Sequence, residues 1–253
     1  MGALVGVVLV SVPVVALREA AGVVRGTATA TVDVRVPDAP SPGARRLRAS
    51  LPPGPIAVSS RDHRIRAFSG PTLRASSRVV PGSNPWGERL SFPVEERTRD
   101  AGGAVWLRIL LGVAPNGAEG WVPAARVWAT PVRDRIVVDL SAHRLRRWHD
   151  GRLAARFDVA VGAPTTPTTA GSFFVWARLD AAADGPYGTY VLGLSGFPPM
   201  TSEAPDASRI AIHGTQDPTD LGQDVSHGCV RVLNADMLRL RDVPMGTPVV
   251  IRP

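Results

Sequence analysis

Ile212-His213-Gly214-Thr215 and Ser226-His227-Gly228-Cys229-Val230-Arg231 are the two segments on which the chain turns, and twelve residues lie between His213 and Ser226. Cys229 is the single cysteine of 253 residues. A lone cysteine is most often a small buried hydrophobe, so its surroundings must argue for more. A thiol nucleophile needs an imidazole within hydrogen-bond reach and donors aimed at the developing oxyanion. Gly228 removes a side chain just before the thiol. The backbone N–H groups of His227, Gly228 and Cys229 could then form a donor nest in a tight turn. His213 closes an apolar run that reads as a strand, which would hold its ring rigidly opposite. His213 is therefore the expected base and His227 a supporting group. The rival chemistry is a metal site built from His213, His227, Cys229 and Asp224, but His-x-Cys with a distant His lacks the usual structural-zinc spacing, and neither metal nor organic cofactor is expected.

Working outward, the C-terminal half is punctuated by short apolar runs. Arg135–Leu140, Gly171–Trp176, Tyr190–Leu194, Arg209–His213, Cys229–Val232 and Thr247–Arg252 read as strands. His143–His149, Asp150-Gly151 and Arg152–Val161 read as a hairpin with a type I′ turn. One short helix is expected where Asn234 can cap, with Asp236 in the first turn and Met237, Leu238 and Leu240 as its apolar side. Gly and Pro number 25 and 24, which favours strands and turns over long helices.

Upstream, residues 56–130 form a second group of strand-like runs: IAVSS, RIRAF, LSFPVEE, VWLRILL and EGWVPAARVWA. The close of this stretch, Val105–Leu111, Pro115-Asn116-Gly117 and Gly120-Trp121-Val122, resembles the end of bacterial SH3-like barrels. Trp106, Trp121 and Trp128 read as core or hairpin packing, in preference to a sugar platform. Residues 26–55 read as a Pro-rich linker, with six prolines between 37 and 55. Residues 1–25 contain the apolar run Gly2–Leu17, suited to a signal peptide or a short membrane anchor.

The chain carries 29 basic residues, every one of them Arg, against 22 acidic residues, for a formal charge of +7. A Lys nucleophile or Schiff base is thereby excluded. The lone Cys excludes an intrachain disulfide and any multi-cysteine metal or iron–sulfur site. The Arg residues are not interleaved with aromatics in a nucleic-acid-binding motif, so no nucleic-acid partner is expected.

The segment 131–253 resembles the L,D-transpeptidase catalytic domain, also called YkuD. The resemblance rests on His213-Gly214-Thr215 and Ser226-His227-Gly228-Cys229-Val230-Arg231. It extends to Val138-Asp139-Leu140-Ser141, to Gly162 with Thr166-Pro167-Thr168 and Gly171-Ser172-Phe173, to Leu192–Gly196 and to Gly246–Val249. Thr169 stands where a second proline is common. The resemblance implies a β-rich, sandwich-like catalytic domain with one short helix; with the separate SH3-like resemblance of 56–130, the expected protein is mainly β, a small SH3-like β domain followed by the catalytic domain. It implies that Cys229 attacks the stem-peptide carbonyl of peptidoglycan, that His213 relays the proton, and that His227, Gly228 and Cys229 hold the oxyanion. Gly214 would orient the His213 ring and Ser226 would support the turn. Arg231, Tyr190 and Thr215 would contact substrate. A second stem's amine would accept the acyl group, carbapenems would inhibit, and the protein would work as a secreted or anchored monomer. An L,D-carboxypeptidase using the same site and a non-catalytic wall-binding protein are the alternatives.

Overall fold

A computed structural model describes residues 51–199 and 209–253. The expected signal or anchor segment and nearly all of the Pro-rich linker lie outside the described residues. What is described is mainly β, arranged as two large sheets and one two-stranded ladder.

The first sheet contains β1 (Ile56–Ser60), β2 (Arg64–Phe68), β3 (Ser77–Pro81), β4 (Phe92–Arg99), β5 (Val105–Leu110), β6 (Glu119–Pro123) and β7 (Val127–Pro131). Its order is β3-β2-β6-β5-β4-β1-β7, and every pairing is antiparallel. The period of two explains the sorting in β2: Ile65 and Ala67 point inward, Arg64 and Arg66 outward. Strand β3 was not legible beforehand, because Ser77–Pro81 lacks a clean alternation of apolar and polar positions.

The second sheet contains β8 (Asp134–Asp139), β9 (Arg144–His149), β10 (Arg152–Asp158), β12 (Gly171–Asp180), β13 (Tyr190–Leu194), β14 (Ala211–Thr215), β16 (Val230–Leu233) and β17 (Pro248–Arg252). Its order is β10-β9-β8-β17-β12-β13-β14-β16. The β8–β17 and β14–β16 pairings are parallel. The short strands β11 (Val161–Gly162) and β15 (Asp224–Ser226) pair with each other in parallel. Asp150 (φ 48°) and Gly151 (φ 74°) both have positive φ, as the expected type I′ hairpin requires.

A single helical turn, α1 (Asn234–Met237), follows β16 and runs into a 3-10 turn at Leu238–Leu240. Asn234 does not cap it: Asn234 is its first residue, and its Oδ1 accepts from the Thr189 N–H at 3.0 Å instead. Leu238 is exposed while Met237 and Leu240 are buried, so the apolar side is narrower than the sequence suggested.

Strand β12 joins the two sheets. Phe173 packs in the core of the second sheet with Val138, Leu192 and Val249. Phe174, its neighbour on the opposite face, belongs to the core of the first sheet, with its ring 5.7 Å from that of Phe92. Arg209 adds a polar clamp beside it. Its guanidinium donates to the Ser195 carbonyl at 2.7 Å and the Gly112 carbonyl at 3.0 Å, between the rings of Trp176 (4.0 Å) and Phe197 (4.4 Å). Burial pushes its pKa down to about 10. Truncating a fully buried Phe removes contacts on every side and leaves a cavity. Phe174→Ala is expected to cost about 3–5 kcal/mol, read as a shift of the chemical-denaturation midpoint of the whole chain.

Candidate active site

The site is assembled by the parallel pairing of β14 with β16. The register sets Ile212 against Val230 and His213 against Arg231. Alternation then divides the two strands by face. Ile212, Val230 and Val232 point into the core of the second sheet. His213 and Arg231 share the other face, and Cys229 lies just ahead of β16, two residues before Arg231, with its thiol against the Ala211 backbone on the strand that carries His213. The catalytic pair expected from sequence is thus brought to adjacent segments.

His213 is buried, and its Nδ1 donates to the Gly214 carbonyl at 2.9 Å. A carbonyl only accepts, so Nδ1 carries the proton and Nε2 is left as the acceptor. The orienting role expected of Gly214 is therefore met by its own main chain. Tyr187 stacks edge-on against the ring, with centroids 5.2 Å apart and an interplanar angle of 82°. Burial pulls the His213 imidazole below its ordinary range. The hydrogen bond to Gly214 opposes this, and the Arg231 charge reinforces it. Burial pushes the Cys229 thiol up, while a backbone hydrogen bond at Ala211 and the Arg231 cation offset part of the rise. Both shifts favour the uncharged forms, a thiol and a neutral imidazole.

Ser226 builds the turn ahead of the thiol. Its Oγ donates to the Cys229 carbonyl at 2.5 Å and accepts from the Gly228 N–H at 3.1 Å. Gly228 adopts φ +108°, a conformation that side chains resist. This corrects one expectation: the Gly228 N–H is already engaged by Ser226. No side chain or loop carbonyl among the described residues accepts from the His227 or Cys229 N–H, so these two remain for an oxyanion. The His227 side chain is exposed.

The Thr166-Pro167-Thr168 stretch buttresses this turn from behind. Thr166 Oγ1 donates to the Ser226 carbonyl at 2.9 Å, and Thr168 Oγ1 accepts from the Gly162 N–H at 2.8 Å. A Cβ at Gly162 would lie 2.3 Å from the Thr166 carbonyl oxygen, so only glycine permits the approach. Thr169 does not loosen the loop; its hydroxyl donates to the Phe197 carbonyl at 3.2 Å.

The residues expected to touch substrate fare differently. Tyr190 is 6% exposed and sits in the core of the second sheet, on the face opposite His213. It is a packing residue. Register decides this: Val191 pairs with His213, which turns Tyr190 the other way. The aromatic at the site is Tyr187, three residues earlier in a loop that carries no periodic signal. Thr215 spends its hydroxyl within the connecting loop, donating to Asp220 at 3.3 Å and accepting from the Asp217 N–H at 3.2 Å. Arg231 Nη1 pairs with Asp220 at 2.9 Å, which leaves the rest of its fork for a ligand. Asp220 and Asn234 are the positioning groups that the sequence did not announce. Asp224, a member of the metal-binding alternative, instead pairs with His143 Nε2 at 2.8 Å.

Residues 133–251 match the L,D-transpeptidase catalytic domain family, YkuD. The YkuD protein of Bacillus licheniformis, named for an L,D-transpeptidase, is 38% identical over 120 residues. Its Bacillus subtilis counterpart is 34% identical over 117 residues. These matches take in 47% and 46% of this chain and 66% and 64% of the relatives' own lengths. A solved structure of the catalytic domain of an E. faecium L,D-transpeptidase acylated by ertapenem is similar at 27% identity, covering 49% of this chain and 99% of that one, with a TM-score of 0.38.

Two outcomes follow from the geometry. Ser226→Ala frees the Gly228 N–H and unties the Cys229 carbonyl; a misplacement of about 1 Å costs on the order of 100-fold in rate, so thiol acylation should slow by about that much while the melting temperature changes little. The neutral imidazole is the active form, and it is lost as pH falls through the lowered His213 pKa. The acid limb of the acylation rate is therefore expected below the ordinary imidazole range, and Arg231→Gln should move it to higher pH, measured as acylation rate against pH.

Proposed function

We propose that this protein is a cysteine-dependent L,D-transpeptidase of peptidoglycan, acting outside the cytoplasmic membrane. The observation that carries the proposal is the Cys229 thiol set against the strand that carries His213, with the ring tautomer locked so that Nε2 is free. In the reaction, the Cys229 Sγ–H proton passes to His213 Nε2 as the sulfur attacks the carbonyl of the diamino acid at position three of a stem tetrapeptide. The oxyanion lies against the N–H groups of His227 and Cys229. Collapse breaks the C–N bond to the terminal D-Ala, whose amine takes the proton from His213, and a thioester remains. The side-chain amine of a second stem then attacks the thioester carbonyl and gives its proton to His213. An amide cross-link forms and the thiol is restored.

The rest of the Arg231 fork suits a stem-peptide carboxylate. Peptidoglycan lies outside the membrane, which agrees with the apolar run Gly2–Leu17 as an export signal or anchor.

Intact-protein mass spectrometry with a carbapenem tests the nucleophile. The wild type should gain one covalent adduct, and Cys229→Ala none. His213→Gln should acylate about 100-fold or more slowly, the usual worth of a positioned base. A full-strength adduct on the alanine variant would sink the proposal. Product analysis with purified stem peptides should yield the cross-linked dimer; tripeptide alone would make the enzyme a carboxypeptidase.

A further inference from the structure

The excess positive charge is not spread over the chain. Residues 133–252 carry thirteen Arg and thirteen Asp or Glu, and residues 91–132 carry four of each. Among the described residues the surplus falls between Arg61 and Arg89, where six Arg face two acids. From His63 to Gly87 there is no acidic residue at all. None of Arg61, Arg64, Arg66, Arg74, Arg78 and Arg89 forms an ion pair among the described residues, whereas nine of the thirteen later Arg do.

The fold gathers these cations in one region. Arg64 and Arg66 lie on the outward face of β2, Arg78 lies on β3, and Arg74 lies in the turn between them, all exposed. At the foot of this hairpin Arg89 and Arg61 approach the ring of Trp128 at 4.9 and 6.0 Å. Trp128, expected in core or hairpin packing, is 48% exposed. Charge along an edge strand commonly guards against strand addition. That purpose accounts for Arg78 on β3, the edge. It extends to Arg64 and Arg66, since β2 meets β6 only at Phe68, but it does not account for the pair flanking Trp128.

We propose that the β2–β3 hairpin, with Arg61, Arg89 and Trp128 at its foot, binds a linear phosphate-bearing polymer outside the membrane. Guanidinium forks match phosphate oxygens in pairs. Arg64 and Arg66 stand two apart on the outward face of β2, about 6.8 Å from one another, while Arg78, opposite Ala67 in the ladder, takes the other face of the hairpin; a repeating anion that wraps the hairpin meets both faces, which a single anion cannot. The surface lies on the first sheet, away from the β14–β16 pairing, and tethers the catalytic sheet without taking part in its chemistry. The choice of an extracellular polymer rests on the proposed wall function; the charge distribution does not.

Sedimentation of the full chain with poly(glycerol phosphate) tests the proposal, with polyglutamate and phosphatidylglycerol vesicles as competing arms. Saturable binding to the phosphate polymer is expected, weakening on the order of 100-fold between 50 and 200 mM salt if four phosphates are engaged. The exposed quadruple variant Arg64→Gln, Arg66→Gln, Arg74→Gln and Arg78→Gln should bind at least tenfold more weakly while its carbapenem acylation rate stays unchanged. Unaltered binding by that variant, or no binding by the wild type, overturns the surface. Equal or tighter binding to polyglutamate or to vesicles overturns the phosphate polymer as its occupant. Loss of Cys229 acylation in the parallel experiment would overturn the proposed enzyme and leave polymer binding as it is, so the two failures are distinguishable.

Discussion

The parallel alignment of β14 with β16 is the constraint on which the site depends. A parallel ladder cannot be closed by a tight turn, so the chain must leave His213, travel, and return before Cys229. The connection is held in place at several points. Asp220 reaches back to Arg231 and Thr215, β15 pairs with β11, and Ser226 closes the last turn. Because the register sets alternate residues on opposite faces, the same ladder packs Ile212 and Val230 in the core and sets His213 and Arg231 on the other face, with Cys229 just ahead of β16. A shift of one residue in either strand would bury the nucleophile or expose the core.

Burial gives this pair a particular character. It raises the thiol and lowers the imidazole, so both are uncharged before substrate binds. An ion pair formed in advance would favour reaction with any electrophile in reach. Under the proposed function, a neutral thiol instead waits for a carbonyl held by the His227 and Cys229 N–H groups, where charge can develop against fixed donors. Arg231 biases both partners toward deprotonation, and Asp220 restrains it.

Much of this was legible from residue order, and the exceptions share a cause. Cys229, His213 and the special turn at Gly228 could be read because their chemistry is local: a thiol, an imidazole, and a glycine where φ must be positive. The hairpin at Asp150-Gly151 was legible for the same reason. Tyr190 was misplaced because facing depends on pairing with β14, and a strand's own sequence does not say which side its neighbour keeps for the site. The engaged Gly228 N–H, the Asp220 link to Arg231 and the Asn234 contact with Thr189 are matters of three-dimensional partnership between loops. Trp128 lies outside the core because β7 buries Val127 and leaves its neighbour out, and an aromatic at strand spacing fits either face.

Strand β17 is inserted between β8 and β12, in the middle of the second sheet. Its Arg252 pairs with Asp139, 113 positions earlier, at 2.6 Å. Until those final strand residues are available, the β8–β10 meander and the β12–β14 meander have no shared ladder. Closing so long a loop is entropically costly, and folds dominated by such distant pairings mature slowly. The catalytic sheet therefore completes late in folding, after Cys229 has already been made. Under the proposed function, this order of events suits export of an unfolded chain that acquires its reactive centre only after crossing the membrane.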